Sequence, residues 1–379
     1  MTYITVMQSP RYRQMTLDEL LEGIEDIAKY QVNHMQSNTR TYIADSVNAK
    51  RLESIDVRGL ETCLREFNHN NATLFAVERN TLYNTFFIPK SSGGLRRIDA
   101  PLPPLMEALR QLKVILETNF HALYHTSAFA YVRGRCTIDA LKRHQQNESK
   151  WFLKIDFADF FPSTSLEFLI RQLSVIFPFS EVVKSREGKM ILERAMSLCF
   201  LDGSLPQGTP ISPLLTNLLM IPIDHKISNS LRNFRNNSYV YTRYADDALI
   251  SSKYSFKHEL VCGFIKEVLN EFNAPYKINQ KKTRYGSSAG SNWNLGLMLN
   301  KDNNITIGHQ KKKRFKAMIN NFASDTTKGI AWERNDVQEL QGIISYYKMV
   351  EKSYIEHVLN TYSKKYRLNV RKAITDYLS

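Results

Sequence analysis

Two adjacent acids, Asp246 and Asp247, constrain this chain more than any other feature of its sequence. The segments on either side, residues 240–243 and 248–250, are rich in aromatic and apolar side chains, and this pattern predicts a β-hairpin with both acids at its tip. Carboxylates placed together in this way can hold a metal ion. The sequence Tyr-Ala-Asp-Asp alone is weak, because chance would supply its informative positions in roughly one chain of this length in twenty. The interpretation therefore depends on the rest of the sequence.

A further acid, Asp156, ends an apolar segment (residues 152–155) that has the composition of a β-strand. One strand acid beside two hairpin acids is what two-metal phosphoryl transfer requires, because Mg²⁺ takes carboxylate oxygens and keeps waters and substrate phosphates as its other ligands. One ion would lower the pKa of an attacking 3′-hydroxyl, and the other would neutralise the triphosphate and the leaving pyrophosphate. We therefore predict two Mg²⁺ ions bound by Asp156, Asp246 and Asp247. A solvated turn and a strand-end acid are the ordinary alternatives for each acid taken singly.

A loop rich in proline and glycine, residues 205–213, lies between the acidic segments and leads into apolar sequence that predicts a helix. Its glycine, Gly208, would allow the close backbone approach that a nucleotide base and a template need. In this order, the acids and the loop make the chain similar to reverse transcriptases of the bacterial type. In that family the three matching acids bind the catalytic metals, and a Pro-Gln-Gly loop, here with Gln207 and Gly208, lies under the incoming nucleotide.

The resemblance extends over residues 80–300 in collinear order and has implications for the fold. It implies an α+β, right-hand polymerase fold in which an antiparallel sheet with helices forms the palm. The expected parts are an N-terminal helical extension (1–80), fingers (81–150), a palm (151–300) and a helical thumb (301–379). Within the extension, residues 16–28 have the N-cap and apolar stripe of a helix.

Residues 87–101 resemble the fingers hairpin of this family, in which a lysine and an arginine grip the triphosphate. The resemblance implies these roles for Lys90 and Arg96, with Arg97 as the competing choice because the two arginines are adjacent. Charge-assisted hydrogen bonds from such side chains to phosphate are the physical reason for the pattern.

Sugar selection in the family depends on the fifth residue after the first metal-binding acid, where a bulky side chain clashes with a ribose 2′-hydroxyl. This position is Phe161 here, which implies dNTP substrates and a DNA product. The alternative is that Phe160 and Phe161 are both core aromatics. Phe157, which follows Asp156, completes the expected substrate-binding set.

Basic residues in two further blocks resemble family elements that handle template and pyrophosphate. Residues 128–135 resemble a block that helps to place the template, which implies nucleic-acid contacts for Arg133 and Arg135, although a strand with a basic surface turn is the alternative. Residues 279–283 resemble an Asn-x-x-Lys-Thr block. Its Lys282 could protonate the leaving pyrophosphate as a general acid, and a solvated basic turn is again the alternative.

A basic run opens a predicted helix in the C-terminal part, and its members are expected to follow a template–primer duplex: Lys311, Lys312, Lys313 and Arg314. Phe315, Ile319 and Phe322 recur at helical spacing, which predicts that their face packs inward. Further on, Gly342 and Tyr346 resemble a Gly-x-x-x-Tyr thumb helix that approaches nucleic acid closely, but ordinary helix packing at Gly342 is the favoured interpretation.

Two elements bear on the branch of the family. Residues 138–144 look like the Asn-Ala-x-x-His element of retron reverse transcriptases, with Asp139 in place of asparagine, and residues 294–300 match the retrons' Val-Thr-Gly element only in part. We therefore expect a retron-like or related defence-associated bacterial enzyme that copies a noncoding RNA template into DNA and holds an RNA–DNA duplex. A homo-oligomer and an accessory defence protein are left open as further partners. The alternatives are a group II intron-type enzyme, a polymerase with repetitive or protein-primed output, and a catalytically silent nucleic-acid-binding scaffold.

Composition agrees with a nucleic-acid partner. The 379 residues include 51 Lys and Arg against 37 Asp and Glu, and the resulting formal charge of +14 attracts a phosphate backbone. The four cysteines are scattered without a Cys-x-x-Cys pair, which predicts reduced thiols rather than zinc or disulfides. The sequence has no apolar run long enough to span a membrane and no signal-peptide pattern, so we expect a cytoplasmic protein with no membrane partner.

Overall fold

A computed structural model describes residues 57–90, 93–120, 124–234, 239–288 and 296–378 of the chain. The predicted helix over residues 16–28, and most of the predicted N-terminal extension with it, lies outside these ranges. Within them, no helix combines the length and the apolar character needed to cross a bilayer.

Helices and one hairpin make up the first part of the described chain. In order, its elements are α1 (Val57–Asn70), α2 (Ala72–Ala76), β1 (Tyr83–Pro89), β2 (Leu95–Pro101) and α3 (Pro103–Phe120). The two seven-residue strands pair antiparallel along their whole length, from Tyr83 opposite Pro101 to Pro89 opposite Leu95. Side chains are buried at the base of this hairpin and exposed towards its tip. The hairpin therefore projects from the body of the molecule.

A central antiparallel sheet and its helices follow. The elements are α4 (Thr137–Gln146), β3 (Trp151–Ala158), α5 (Leu166–Leu173), α6 (Phe179–Val182), α7 (Arg186–Ser197), α8 (Ser212–Leu219), α9 (Ile221–Asn233), β4 (Tyr239–Tyr244), β5 (Asp247–Ser252), α10 (His258–Glu271), β6 (Lys277–Ile278) and β7 (Arg284–Ser287). The strand order is β4, β5, β3, and the short strands β6 and β7 share the other edge of β3. The predicted strand before Asp156 and the predicted hairpin around Asp246 and Asp247 are both confirmed.

The sheet separates two apolar cores. Leu153, Ile155 and Ile250 belong to the larger core. Phe152 and Leu249 belong to the second core, which they share with the C-terminal helices, because successive strand residues point to opposite faces. Asp156 is on the same strand face as Phe152, and Asp247 is on the same strand face as Leu249, because residues at even spacing on a strand share a face. Both acid side chains therefore leave the sheet on the face of the second core. All four cysteines are free, as predicted, and two of them are buried.

The C-terminal part is helical after one short hairpin. Its elements are β8 (Met298–Leu299), β9 (Ile305–Thr306), α11 (His309–Thr327), α12 (Arg334–Tyr366) and α13 (Val370–Leu378). The basic run opens α11, and Phe315, Ile319 and Phe322 are buried on its inner face, as predicted. The 33-residue α12 is broken at Glu351, where φ is −137° and ψ is 64°. The Glu351 carboxylate accepts hydrogen bonds from the Ile307 amide at 3.0 Å and from Lys312 at 2.6 Å, which ties the break to β9 and α11.

Candidate active site

The two hairpin acids lie where the sequence predicts them, at the tip of β4–β5. Tyr244 pairs with Asp247, so Ala245 and Asp246 form a two-residue connection. Ala245 has a φ of 57°, in the left-handed region that residues with a Cβ adopt at a cost of about 1 kcal/mol or more. Such a conformation persists only where its surroundings over-determine it, and it is common at functional sites.

The strand acid Asp156 lies directly beside this turn. Its Cα partner across the β3–β5 pair is Asp247, so the two carboxylates leave the same face of the sheet. The Phe157 amide donates to the Asp246 carbonyl at 3.0 Å, and the Asn279 amide donates to the Asp156 carbonyl at 2.8 Å. Backbone hydrogen bonds therefore fix the main chain of all three acids, and the predicted convergence of strand and hairpin is confirmed.

Two lysines neutralise the acids of this face. The Lys154 ammonium lies 2.6 Å from an Asp247 carboxylate oxygen, and the Lys282 ammonium lies 3.2 Å from an Asp156 oxygen. Lys154 was not predicted from the sequence. The signal was available, since Lys154 precedes Asp156 by two residues on a strand and must share its face.

The pKa of the Asp246 carboxyl group is raised. Burial is the largest cause that raises the pKa of Asp246, and the negative charges of Asp247 and Asp156 raise it further, while a hydrogen bond to its own amide and the charge of Lys282 lower it. Among the residues described, no three acidic, imidazole or thiol side chains converge into a preformed metal cage. The donor set nevertheless fits a hard divalent cation, because it consists of carboxylates whose mutual repulsion a cation would relieve.

A polar cleft of about 230 Å³ lies between the β1–β2 hairpin and the loop before α8. It brings together three residues that the sequence assigns to substrate binding: Lys90, Arg96 and Gln207. The contacts of Arg96 and Arg97 show which of these adjacent arginines is available to bind a ligand. Arg97 donates to Asp99 at 2.8 Å and to Asp202 at 3.4 Å, whereas the Arg96 guanidinium has no hydrogen-bond or ion-pair partner in the described part of the chain. Arg96 is therefore the arginine available for a ligand.

The structure shows a close approach of Gly208 to another part of the chain, and its contact with a nucleotide stays a prediction. Gly208 has a φ of 116°, and a Cβ there would lie 2.9 Å from the Asp99 carbonyl oxygen and 2.9 Å from an Ile98 methyl group. The neighbouring Gln207 carbonyl accepts a hydrogen bond from the Asp99 amide at 2.8 Å. The glycine thus lets the loop lie against β2.

Of the three aromatics near Asp156, two belong to the core. Phe157 and Phe160 are 1% and 2% exposed and pack on each other and on Tyr276. The Phe157 side chain is part of the core, so its predicted substrate contact is left to its main chain. Phe161 is half-buried and packs edge-to-face against Phe160 with ring centroids 5.8 Å apart.

Tyr131 is a residue of this region that sequence reasoning missed. It is 53% exposed and has a φ of 59°, which is unusual for an aromatic residue. Burial of part of the ring raises the pKa of Tyr131, the charge of Asp246 raises it further, and the charge of Arg96 lowers it, so the phenol lies within electrostatic reach of both the acids and the cleft. Only its place in the block over residues 128–135 hinted at this.

Comparison with known proteins identifies the family. The family described as "Reverse transcriptase (RNA-dependent DNA polymerase)" matches residues 88–318, well over half of the chain and all of the candidate site. The chain belongs to the reverse transcriptase family. It is an RNA-directed DNA polymerase, and enzymes of this family copy RNA templates with the help of divalent metal ions.

Among curated proteins, two retron reverse transcriptases of Escherichia coli are similar. Retron Ec83 reverse transcriptase is 28% identical over 333 residues, which cover 86% of this chain and 98% of the relative. Retron Ec73 reverse transcriptase is 28% identical over 271 residues, which cover 70% of this chain and 82% of the relative. Among solved structures, apo telomerase from Candida tropicalis aligns with a TM-score of 0.46 and 13% identity over 83% of this chain and 66% of that chain. The telomerase likeness is too distant to add to the assignment.

The basic residues expected to contact nucleic acid divide into two groups in this reverse transcriptase. Lys313, Arg314 and Arg133 are exposed, whereas the others hold the fold together. Lys311 donates to the Gly296 carbonyl at 2.9 Å, and Lys312 pairs with Glu351. One Arg135 amino group lies 2.8 Å and 2.7 Å from the carbonyl oxygens of His125 and Ala128, so it shapes the loop of its own block.

The C-terminal helices α11 to α13, the predicted thumb, correct one prediction. Helix packing was the favoured interpretation of Gly342 in α12, but Gly342 is exposed, and among the residues described no atom lies within 4 Å of where its Cβ would be. Burial raises the pKa of Tyr244, and Tyr346, one turn beyond Gly342, makes a smaller contribution in the same direction. Within the described residues Gly342 is therefore uncovered, while Tyr346 is partly buried against the second core.

The retron-like element at residues 138–144 has structural roles here. Asp139 caps α4 by accepting a hydrogen bond from the Cys136 amide at 3.1 Å. His144, which stands one residue further from Asp139 than Asn-Ala-x-x-His requires, is completely buried. Its ring nitrogens lie 2.6 Å from Ser251 Oγ and 2.8 Å from Thr242 Oγ1, so it joins β5 to β4. Asn294 and Leu295 of the second element lie outside the described residues.

Proposed function

We propose that this reverse transcriptase copies a dedicated noncoding RNA into DNA by two-metal nucleotidyl transfer, as part of a bacterial retron or a related anti-phage defence system. One observation carries the chemical part of the proposal. Asp156 and Asp247 lie opposite each other on one face of the sheet, with Asp246 in the adjoining turn. Three carboxylates in this arrangement match the ligand needs of paired divalent ions.

In the proposed mechanism, Asp156, Asp246 and Asp247 hold two Mg²⁺ ions. Bound there, the ions would neutralise charge on the attacking and leaving oxygens of an in-line displacement. The reaction joins the primer 3′-oxygen to the α-phosphorus of a dNTP, breaks the bond to the β-phosphate and releases pyrophosphate. Lys282, whose ammonium lies 3.2 Å from Asp156, is in a position to give a proton to the departing pyrophosphate.

We assign the polar cleft to the incoming nucleotide. Lys90 and Arg96 would contact the triphosphate, since both line the cleft and the Arg96 guanidinium has no partner in the described residues. Gln207 lines the same cleft and would lie under the nucleotide, while Gly208 holds the loop against β2. Arg133, Lys313 and Arg314 are the exposed cations that we assign to template and primer.

We further propose that Phe161 excludes ribonucleotides, which makes DNA the product. Replacing Phe161 by alanine should raise the efficiency of ribonucleotide incorporation relative to deoxynucleotides by at least about tenfold, because the steric clash with the 2′-hydroxyl is removed. Phe161→Tyr keeps the aromatic bulk and serves as the control. Unchanged sugar preference in Phe161→Ala would show that another residue senses the sugar.

The dedicated RNA, the defence role and the division of the chain rest on the retron relatives. Retron reverse transcriptases are the similar curated proteins reported above, and they match most of the chain. By analogy we assign residues 1–80 to an N-terminal extension, 81–150 to fingers, 151–300 to a palm and 301–379 to a thumb, and we place the enzyme in the bacterial cytoplasm.

The test is to purify the protein from its native locus with the nucleic acid that it carries. The preparation is divided, treated with RNase or DNase, and supplied with labelled dNTPs and Mg²⁺, and the products are sequenced. DNA that matches a co-purified RNA and depends on it supports the proposal, with Asp246→Ala as the inactive control. A simple repeated product would point instead to restricted or protein-primed synthesis, and equal incorporation by wild type and Asp246→Ala would contradict the proposed site.

A further inference from the structure

A completely buried ion pair lies beneath the turn that carries the metal-binding acids. Arg243 on β4 and Asp224 on α9 are both 0% exposed. The Arg243 Nε lies 2.9 Å and 3.1 Å from the two Asp224 oxygens, and its Nη2 donates to the second of them at 2.7 Å. The pair is bidentate, the geometry in which an arginine and a carboxylate bind each other most strongly.

The remaining arm of the guanidinium reaches the active-site turn itself. Arg243 Nη1 donates to the carbonyl oxygen of Ala245 at 3.0 Å. Ala245 is the residue with the left-handed φ of 57°, and its carbonyl belongs to the peptide that joins it to Asp246. Because a peptide unit is planar, a contact that fixes this oxygen also fixes the amide of Asp246. The Arg243 guanidinium therefore fixes the orientation of the peptide unit between Ala245 and Asp246.

Arg243 is itself held on the outer edge of the sheet. Its amide donates to the Ser127 carbonyl at 2.7 Å, and its carbonyl accepts from the Phe129 amide at 2.9 Å. The loop that contains Ser127 and Phe129 thus adds a short parallel bridge to β4. With its backbone fixed by this loop and its side chain fixed by α9, Arg243 is a rigid support for the turn.

Stability alone does not explain this pair. Removing two charges from water carries a large desolvation penalty, and apolar side chains of similar volume often give a protein of equal or greater stability. An apolar pair could not donate to the Ala245 carbonyl, and a lysine could not serve that carbonyl and both Asp224 oxygens in the same geometry, because it lacks the planar fork.

We propose that the Asp224–Arg243 pair is a positioning device for the catalytic acids: it holds the Ala245 peptide in its left-handed conformation and thereby aims Asp246 into the site. The proposal rests on the proposed role of Asp246 as a metal ligand. Arg243 and Asp224 are positioning residues, since they act through the turn and do not touch the substrate.

The test compares Arg243→Lys with a control variant of the same buried network. Tyr241→Phe removes the hydroxyl that donates to Asp224 at 2.7 Å and leaves the contacts of Arg243 in place. Single-nucleotide incorporation on a primed RNA template is measured against dNTP and Mg²⁺ concentration, together with thermal unfolding. We expect Arg243→Lys to lower kcat by at least about tenfold with KM for the dNTP within about threefold, because the loss falls on the transition state, and Tyr241→Phe to keep kcat within about threefold.

A rescue experiment separates positioning from general stability. Glycine adopts a positive φ without strain, so Ala245→Gly introduced into Arg243→Lys should restore part of the lost kcat, at least about threefold. A loss of activity that follows the unfolded fraction, and that the added glycine does not restore, would overturn the positioning role. So would a folded Arg243→Lys with wild-type kcat and Mg²⁺ dependence.

Two further variants keep the outcome decisive. If Arg243→Lys is unfolded, the double variant Asp224→Leu with Arg243→Met replaces the ion pair by apolar side chains. We expect the same loss of kcat from this folded double variant. A wild-type kcat in the double variant overturns the proposal. Asp246→Ala is assayed in parallel. An inactive Asp246→Ala beside a fully active Arg243→Lys removes only the positioning role, whereas an active Asp246→Ala removes the proposed site as well.

Discussion

The two hairpins of similar length, β1–β2 and β4–β5, have opposite surroundings. On β1–β2 most side chains are exposed, and Phe87 and Leu95 are 59% and 61% accessible to solvent. On β4–β5 eight of the twelve residues are buried and the other four are half-buried. β5 lies between two strands, and His144 bridges the pair from α4. Beyond its own cross-strand hydrogen bonds, the β1–β2 hairpin contacts the loop before α8 through the Asp99 amide and Arg97, while the β4–β5 hairpin is supported from several directions.

This difference follows from what each hairpin carries. Carboxylates that bind metal must keep their geometry to within a fraction of an ångström, which requires packing that locks each rotamer and turn. Cations that meet a phosphate do so through long side chains at an exposed tip, where solvent and a mobile backbone are tolerated. Changes in the first hairpin should therefore affect substrate binding, and changes in the second should affect chemistry and folding together.

The strongest test of the comparison is removal of a metal-binding acid. Asp156→Ala or Asp246→Ala should lower DNA synthesis by roughly 1000-fold or more, equivalent to about 4 kcal/mol of transition-state stabilisation. RNA affinity, measured by filter binding, should change by less than about threefold because phosphate contacts elsewhere dominate it. Substantial synthesis by either variant would show that the rigid hairpin does not carry the chemistry.

Side-chain truncation tests the difference in packing. Ile250→Ala, in a position that is 0% exposed, should lower the free energy of unfolding by about 2–5 kcal/mol. Phe87→Ala, on the exposed hairpin, should change it by less than about 0.5 kcal/mol. Denaturant unfolding of both proteins gives the comparison, and equal losses would mean that the fingers hairpin is covered in solution.

Arg96 and Arg97 test which side chain of the β1–β2 hairpin contacts the triphosphate. Arg96→Ala should lower kcat/KM for the dNTP by roughly 10- to 100-fold, since a charge-assisted hydrogen bond contributes about 1.5–3 kcal/mol. Arg97→Ala should have a smaller effect, because its guanidinium is already engaged by Asp99 and Asp202. Steady-state kinetics with a single dNTP decides between them, and the reverse order would assign the triphosphate to Arg97.

His144 provides a pH test of the support beneath the catalytic hairpin. Burial lowers the pKa of His144 to about 3, with a smaller contribution from the charge of Arg143. Between the ordinary pKa of about 6.5 and this value, the unfolded chain binds a proton that the folded chain does not, so stability should fall as pH falls, by up to about 1.4 kcal/mol per pH unit. Above pH 6.5 the group contributes no such dependence.

The matching control is His144→Gln, which cannot take up this proton. The difference in free energy of unfolding between wild type and His144→Gln should shrink as the pH is lowered from 6.5 to 5. Parallel stability curves for the two proteins over that range would show that His144 is accessible to protons in the folded state.

Much of the active site was predictable because its signals are local. Alternating and apolar runs predicted the strand before Asp156 and the hairpin around Asp246. The two adjacent acids between the hairpin strands indicated the turn without reference to distant residues. The inner face of α11 was predictable for the same reason, since Phe315, Ile319 and Phe322 recur at the helical period.

The contacts that escaped prediction join residues far apart in the chain. Lys154 meets Asp247 across 93 positions and Lys282 meets Asp156 across 126. Strand alternation places Lys154 on the face of Asp156, but it does not identify the partner of either lysine. The close contact of Gly208 with the Asp99 carbonyl was not predicted, because Asp99 comes from another part of the fold. Gly342 was expected to pack against a helix, but no described neighbour meets it, and whether a neighbour exists is a property of tertiary structure alone.

The lysines beside the acids compete with any incoming cation for the same carboxylates. Asp247 and Asp156 each already face an ammonium group, at 2.6 Å and 3.2 Å. A cation that binds these carboxylates must displace the two lysine ammonium groups or share the carboxylates with them. Its affinity is therefore weaker than it would be for the same carboxylates without the lysines. Raising the concentration of monovalent salt loosens the lysine pairs and screens the incoming cation as well, and the two effects oppose each other. We therefore expect the proposed metal site to gain a divalent ion mainly when a bound triphosphate brings further negative charge.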